Sequence, residues 1–307
     1  MALWRKLGLV YSPAGAHGWD RSYAHLPTCE VLDGDRLRVY FAALDEKKYG
    51  RIGYVDLAAE DPLNIIEVAT KPVLDLGELG SFDDCGVVPS CLVHRDGITN
   101  LYYIGFQRAE RVPYMLFAGL ATAPRGTTHF TRYSRTPILD RTSAEPFSRG
   151  APYILRERDT LRMWYWSCVS WSQGVGGHVH YNNVIRHACS TNGIEWEVTE
   201  TPCIVPANKN EYSIGRPCVA RQGDGYQMWY AVRSHGDNYA IGYAESKDGL
   251  VWERMDEKSG IGPSVEGWDS EMVCYPNVVE IADRRYMFYN GNGHGRSGFG
   301  VAVLDPA

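Results

Sequence analysis

The chain has 307 residues, 44% apolar and 22% charged, the proportions of a folded globular protein and not of a disordered one. Its formal charge of −6 argues against non-specific nucleic-acid binding, and no apolar run approaches the roughly 18–20 residues that span a bilayer. Thirty-two glycines with 9 Trp, 20 Tyr and 8 Phe lean the composition toward an all-β fold.

Residues 3–11 contain no apolar stretch of signal-peptide length. The eight cysteines are scattered, without a Cys-x-x-Cys pair. Free buried thiols and a cytoplasmic location are the expectation.

From residue 19 onward one pattern repeats. Residues 19–75 open with Arg21-Ser22-Tyr23-Ala24-His25-Leu26-Pro27, continue with Val39-Tyr40-Phe41 and end on Gly53-Tyr54-Val55. Residues 82–140 repeat this as Asp83 to Pro89, Tyr102-Tyr103-Ile104 and Gly119-Leu120-Ala121. Residues 145–206 follow with Pro146 to Pro152, Trp164-Tyr165-Trp166 and His187-Ala188-Cys189. Residues 211–256 give Glu211 to Pro217, Trp229-Tyr230-Ala231 and Gly242-Tyr243-Ala244. Residues 268–304 give Ser270 to Pro276, Phe288-Tyr289-Asn290 and Gly300-Val301-Ala302. The prolines step by 62, 63, 65 and 59 residues, and a Tyr follows each by 13, or by 14 in the second copy.

Turn signals separate these strands. Asp33-Gly34, Asp96-Gly97, Arg158-Asp159 and Asp224-Gly225 mark hairpins. Ser190-Thr191-Asn192-Gly193 and Ser246-Lys247-Asp248-Gly249 each lead to an outer strand carrying a Trp. No long segment has helical spacing. The pattern predicts a single-domain, five-bladed β-propeller of four-stranded antiparallel blades. Proline cannot donate to a ladder, and the innermost strand of a blade has a free edge on which it is tolerated. The last copy lacks a fourth strand, and residues 3–11 are expected to supply it and close the ring.

If the first strand of each blade enters at the top, the second-to-third-strand loops and the lead-ins to strand one gather at that end. The lead-ins carry Arg21, His25, Asp83, Asp84, Glu145, Arg149, Arg216, Glu271 and Tyr275. The loops add Arg108, Trp171, Tyr181, Arg233, His294 and Arg296. Aromatic faces suit sugar stacking, and carboxylates supply acid and base. Asp83-Asp84 reads equally as a turn cap or an arginine partner, and the arginines can equally pair with rim carboxylates. His178-x-His180 lacks a third ligand at telling spacing, so no metal and no cofactor are expected.

The five-fold Pro–Tyr pattern, the Ser-x-Asp-Gly-x-x-Trp turn and the closing Tyr289-Asn290-Gly291-Asn292-Gly293-His294-Gly295-Arg296 resemble the five-bladed propeller glycosidases. That superfamily includes arabinanases, β-xylosidases, invertases, levansucrases and mannoside phosphorylases. The resemblance implies a hydrolase of carbohydrate metabolism working with three funnel carboxylates. In several members the first of these stands directly before the strand-one Pro, where this chain has Leu26. Asp84, Glu145 and Glu271 are the remaining acid/base candidates, at a separation that decides between retention and inversion. Arg21, His25, Asp83, Arg149, Trp171, Arg216, Arg233, Tyr275, His294 and Arg296 are the candidate substrate ligands. Arginine's planar fork matches carboxylate and phosphate, so an anionic sugar is expected: phosphorylated, nucleotide-linked or acidic. A catalytically silent carbohydrate- or protein-binding propeller and a phosphorylase or transferase remain the alternatives. No nucleic-acid or membrane partner is expected.

Overall fold

The computed structural model describes residues 3–32, 35–173, 177, 179–236, 239–281 and 283–305. Strand β1 is Trp4–Tyr11. Four antiparallel units follow. The first comprises β2 (Ser22–Val31), β3 (Arg36–Leu44), β4 (Gly50–Ala58) and β5 (Ile65–Val68). The second comprises β6 (Gly86–Arg95), β7 (Ile98–Arg108), β8 (Tyr114–Pro124) and β9 (Thr131–Arg132). The third contains β10 (Arg149–Glu157), β11 (Thr160–Gln173), β12 (Val179–Ser190) and β13 (Glu197–Val198). The fourth contains β14 (Glu211–Gln222), β15 (Gly225–Ser234), β16 (Tyr239–Ser246) and β17 (Glu253–Arg254). Then come β18 (Cys274–Ile281), β19 (Arg284–Asn290) and β20 (Phe299–Leu304), with β1 antiparallel on β20.

The predicted hairpin at Asp33-Gly34 falls on residues outside those described. At the equivalent turn Asp96 (φ 51°) and Gly97 (φ 75°) are both left-handed, as a two-residue hairpin requires. All eight cysteines are free. Among the described residues no helix is long and apolar enough to cross a membrane.

Consecutive units meet through single parallel residue pairs: Gly50 with Gly86, Phe117 with Arg149, and Asn183 with Ser213. The core lies mainly between units. Val39 and Phe41 of the first pack with Phe288, Phe299 and Val301 of the last. Two asparagines tie those same units together: Leu26 N donates to Asn290 Oδ1 (2.8 Å) and Cys29 N to Asn277 Oδ1 (2.8 Å).

The repeated tyrosine has a structural reason. Tyr40 donates to Glu30, Tyr103 to Asp83, Tyr165 to Glu145, Tyr230 to Asp256 and Tyr289 to Asp269, at 2.5–3.0 Å. Each carboxylate also faces a basic group: His94, Arg132, Arg149, Arg254 and Lys6 respectively. A carboxylate drawn into the interior needs both hydrogen bonds and a basic neighbour; each unit supplies its own tyrosine, while His94 comes from the second unit to Glu30 of the first and Lys6 from β1 to Asp269. Replacing Tyr103 by Phe is expected to cost about 1–2 kcal/mol in urea unfolding, because Asp83 loses one of its donors in the interior.

Candidate functional site

Each first strand slips register at its proline, between His25 and Thr28, Pro89 and Cys91, Gly150 and Tyr153, Gly215 and Cys218, and Cys274 and Asn277. Proline has no N–H to offer there, so the bulge forfeits no ladder bond at that residue. In four units the residue before the proline is thereby pushed out of the ladder, whereas Val88 of the second stays paired with Ile104. Leu26, Ala151, Arg216 and Tyr275 adopt left-handed φ of 47–56°. These four and Val88 all line one cavity of about 480 Å³.

Tyr23, Lys48 and His294 line it too, and are also left-handed, at φ 61–66°. Among the described residues, nine non-glycine positions have positive φ, and seven border this cavity. The other two, Asp96 and Arg158, sit in the tight turns predicted between first and second strands. Each such backbone costs on the order of 1–2 kcal/mol. Strain concentrated around one cavity makes it the candidate functional site.

The chemistry of the wall is one-sided. Lys48, Arg108, Arg216 and Arg233 border the cavity, and among the described residues no Asp or Glu does. Arg216 is 2% exposed. Its Nη1 donates to Ser90 O (2.5 Å) and Oγ (3.2 Å), and its Nη2 to Pro27 O (3.2 Å) and Thr28 Oγ1 (2.8 Å). All four acceptors are neutral, and Nε is buried without a partner. Burial with no carboxylate nearby pulls this guanidinium below its ordinary pKa.

Arg233 is wrapped by the rings of Tyr181, Tyr212 and Tyr239 at 5.1–5.7 Å, and donates to Tyr181 Oη at 3.1 Å. Tyr275 donates to Tyr239 at 3.2 Å. Arg108 donates to Lys47 O at 2.7 Å and lies over the Tyr49 ring, while Lys48 reaches Ser22 Oγ at 3.3 Å. Among the described residues none of these four cations meets a carboxylate within salt-bridge distance. Burial and the neighbouring His294 lower His25 to about 3. Burial, Arg233 and Arg296 lower His294 to about 4. Both imidazoles are therefore neutral at pH 7, and Tyr275, pushed up by burial, stays protonated.

Of the residues singled out from the sequence, His25, Arg216, Arg233, Tyr275 and His294 meet at the cavity. Arg21 is exposed and donates to Gly15 O, and Arg296 is exposed as well. Trp171 stands edge-on against Tyr181 without reaching the wall. Asp83 is held by Tyr103 and Arg132. Arg149 is held by Glu145, Tyr165 and Asp140 O. Glu145 therefore belongs to an internal clamp, and Glu271 is exposed, with its N–H bonded to Asn292. Asp84 is placed differently. Its Oδ2 accepts from Gly80 N at 2.9 Å, its Oδ1 is buried with no partner, and the adjoining Cys85 lines the cavity. His178 lies outside the described residues. Lys48, Tyr114 and Tyr239 are wall residues that the repeat pattern does not pick out, since they stand away from the Pro and Tyr registers; Tyr23, also on the wall, lies inside the repeated lead-in but was not singled out.

The fold is that of the propeller glycosidases. A solved glycoside hydrolase matches 99% of this chain and 93% of its own with a TM-score of 0.75 at 18% identity. A thermostable family-43 glycoside hydrolase gives 0.67 at 16%, over 92% of this chain and 88% of its own. A third structure was described with the GH130 family of mannoside phosphorylases, containing glycoside hydrolases that target beta-1,2 mannosidic linkages in Candida mannan. It gives 0.73 at 15%, over 99% of this chain and 96% of its own. No family model matches the chain. It is 38% identical over 304 residues to the uncharacterized proteins MT1551 and Rv1502 of Mycobacterium tuberculosis, covering 98% of this chain and 99% of each. The chain belongs to the family of those two proteins.

Proposed function

We propose that the chain holds an anionic carbohydrate in this cavity and acts on its glycosidic bond. The observation that carries the reading is a wall that, among the described residues, has four cations and no carboxylate, one of the cations buried without a counterion. An uncompensated buried charge is costly, and an anionic ligand supplies the missing partner. The glycosidase fold of the structural neighbours supports a sugar as the body of that ligand. Five blades around the cavity axis, closed by β1, fit this reading, since each unit contributes its pre-proline residue to one wall.

Acid/base work falls to Asp84, whose free Oδ1 adjoins the cavity-lining Cys85. Glu145 and Glu271 are the weaker candidates, one consumed in its clamp and the other exposed. A second reading, binding without turnover, is favoured by the absence of Asp and Glu from the wall among the described residues.

Calorimetric titration with one sugar in neutral and phosphorylated forms tests the reading. The anionic form is expected to bind at least about tenfold tighter, and Arg233→Met to remove that preference. Asp84→Asn is expected to lower turnover about a hundredfold while leaving binding intact. Turnover only with added phosphate identifies a phosphorylase. Binding without turnover selects the second reading. Equal affinity for both forms rejects the anionic site.

A further inference from the structure

We infer that the ligand carries two anionic groups, one at each end of an uncharged ring that stacks on an aromatic wall. This rests on the anionic-carbohydrate reading and adds the placement of its charges. The wall can be followed ring by ring. Arg108 and Phe106 are alternate residues of β7, so their side chains leave the same face of the strand. Phe106 meets Tyr114 at 5.7 Å, Tyr114 meets Tyr181 at 6.0 Å, and Tyr181 accepts from Arg233 at 3.1 Å. Three aromatic rings in succession thus separate a cation of the second unit from a cation of the fourth.

Lys48 of the first unit joins the Arg108 end, where Arg108 donates to the carbonyl of neighbouring Lys47. Lys48 is left-handed (φ 65°) where its N–H closes the β3–β4 turn on Asp45 O (3.1 Å), and it lines the same cavity as Arg108. At the far end Arg233 is fixed by three tyrosine rings, whereas Arg216 reaches across to Pro27, Thr28 and Ser90 of the first two units and belongs to neither end. The rest of the lining includes the uncharged Leu26, Val88, Ile104, Leu116 and Trp166. A single anion uses one end and leaves the other end's cations uncompensated. Two anions flanking a sugar ring satisfy both, and the ring covers the aromatic faces.

The probes are glucose and mannose, their 6-phosphates, their 1,6-bisphosphates, and the UDP- and GDP-linked sugars, whose phosphates are contiguous. Titrated into the intact protein, a bisphosphate is expected to bind at least about tenfold tighter than its monophosphate and tighter than the nucleotide-linked sugar. The Lys48→Met/Arg108→Met double variant and Arg233→Met should each reduce the bisphosphate to monophosphate affinity, with Arg233→Lys restoring part of it. Crystals of the unaltered protein soaked in selenate should show two anions, one at Lys48 and Arg108 and one at Arg233. Monophosphate binding as tight as bisphosphate, with only Arg233→Met having an effect, overturns the two-ended ligand and leaves the anionic site standing. Tighter binding of the nucleotide-linked sugar overturns the flanking placement. No preference for any phosphorylated form overturns both readings.

Discussion

Replacing Glu145 by alanine is expected to destabilise the protein by about 3–5 kcal/mol, lowering the urea midpoint without changing the slope. Glu145 is 5% exposed and accepts from Tyr165 Oη at 3.0 Å on both oxygens. Arg149 Nη2 lies 2.9 Å away and Arg186 Nε 3.6 Å away. Truncation strands Arg149, which is 3% exposed and already has an unpartnered Nε, as a buried cation facing only the Asp140 carbonyl and a phenol. Glu145→Gln should fall between, because the amide still accepts from Tyr165 but no longer balances the charge. A fully stable Glu145→Gln variant that has lost turnover would assign Glu145 to catalysis, as its register suggests. The clamp predicts the reverse: lost stability, with residual turnover per folded molecule.

The clamp also shows how much of the fold was legible. Proline and tyrosine repeat because each answers a physical demand. Proline marks the bulge that pushes Leu26, Arg216 or Tyr275 toward the cavity. Tyrosine donates to a buried carboxylate of its own unit. These constraints act along one unit, so spacing in the chain reveals them. The direction of an acid at the strand lead-in does not show in spacing. Asp83, Glu145 and Asp269 could face the cavity or turn back into their unit, and the choice depends on Arg132, Arg149 and Lys6. Two of those cations are remote in the chain. The available signal was the joint recurrence of acid and tyrosine, a pair that satisfies itself. Arg216 and Arg233 were legible because they stand beside the proline or in an upper loop. Lys48 was not, because an exposed lysine in the β3–β4 turn reads as a solvated residue.

Below pH 6.5 the unliganded protein is expected to lose stability progressively, and an anionic ligand to resist that loss. His25 and His294 have folded-state values of about 3 and about 4 against an ordinary value of 6.5. The direction follows from proton counting. Below pH 6.5 the unfolded chain takes up protons at both imidazoles while the folded chain does not, so acid favours unfolding. The loss sets in as pH falls through 6.5 and levels off only near 4 for His294 and 3 for His25. With partial solvent contact at both rings, each should account for about 1–2 kcal/mol by the middle of that window. Burial is the largest cause for both; the neighbouring cations Arg233 and Arg296 act further on His294. An anion beside Arg233 offsets that cationic field, raises the His294 value and makes protonation part of binding. Affinity should therefore increase as pH falls from 7 to 5, with proton uptake visible as a buffer-dependent heat of binding. The His25→Asn/His294→Gln double variant should flatten both the stability and the affinity profiles. His187, lowered to about 4 by burial and Arg162 away from the cavity, leaves a residual acid sensitivity in that variant which ligand does not relieve. Acid stability that is the same with and without ligand, and binding with no proton uptake, would place the anion elsewhere.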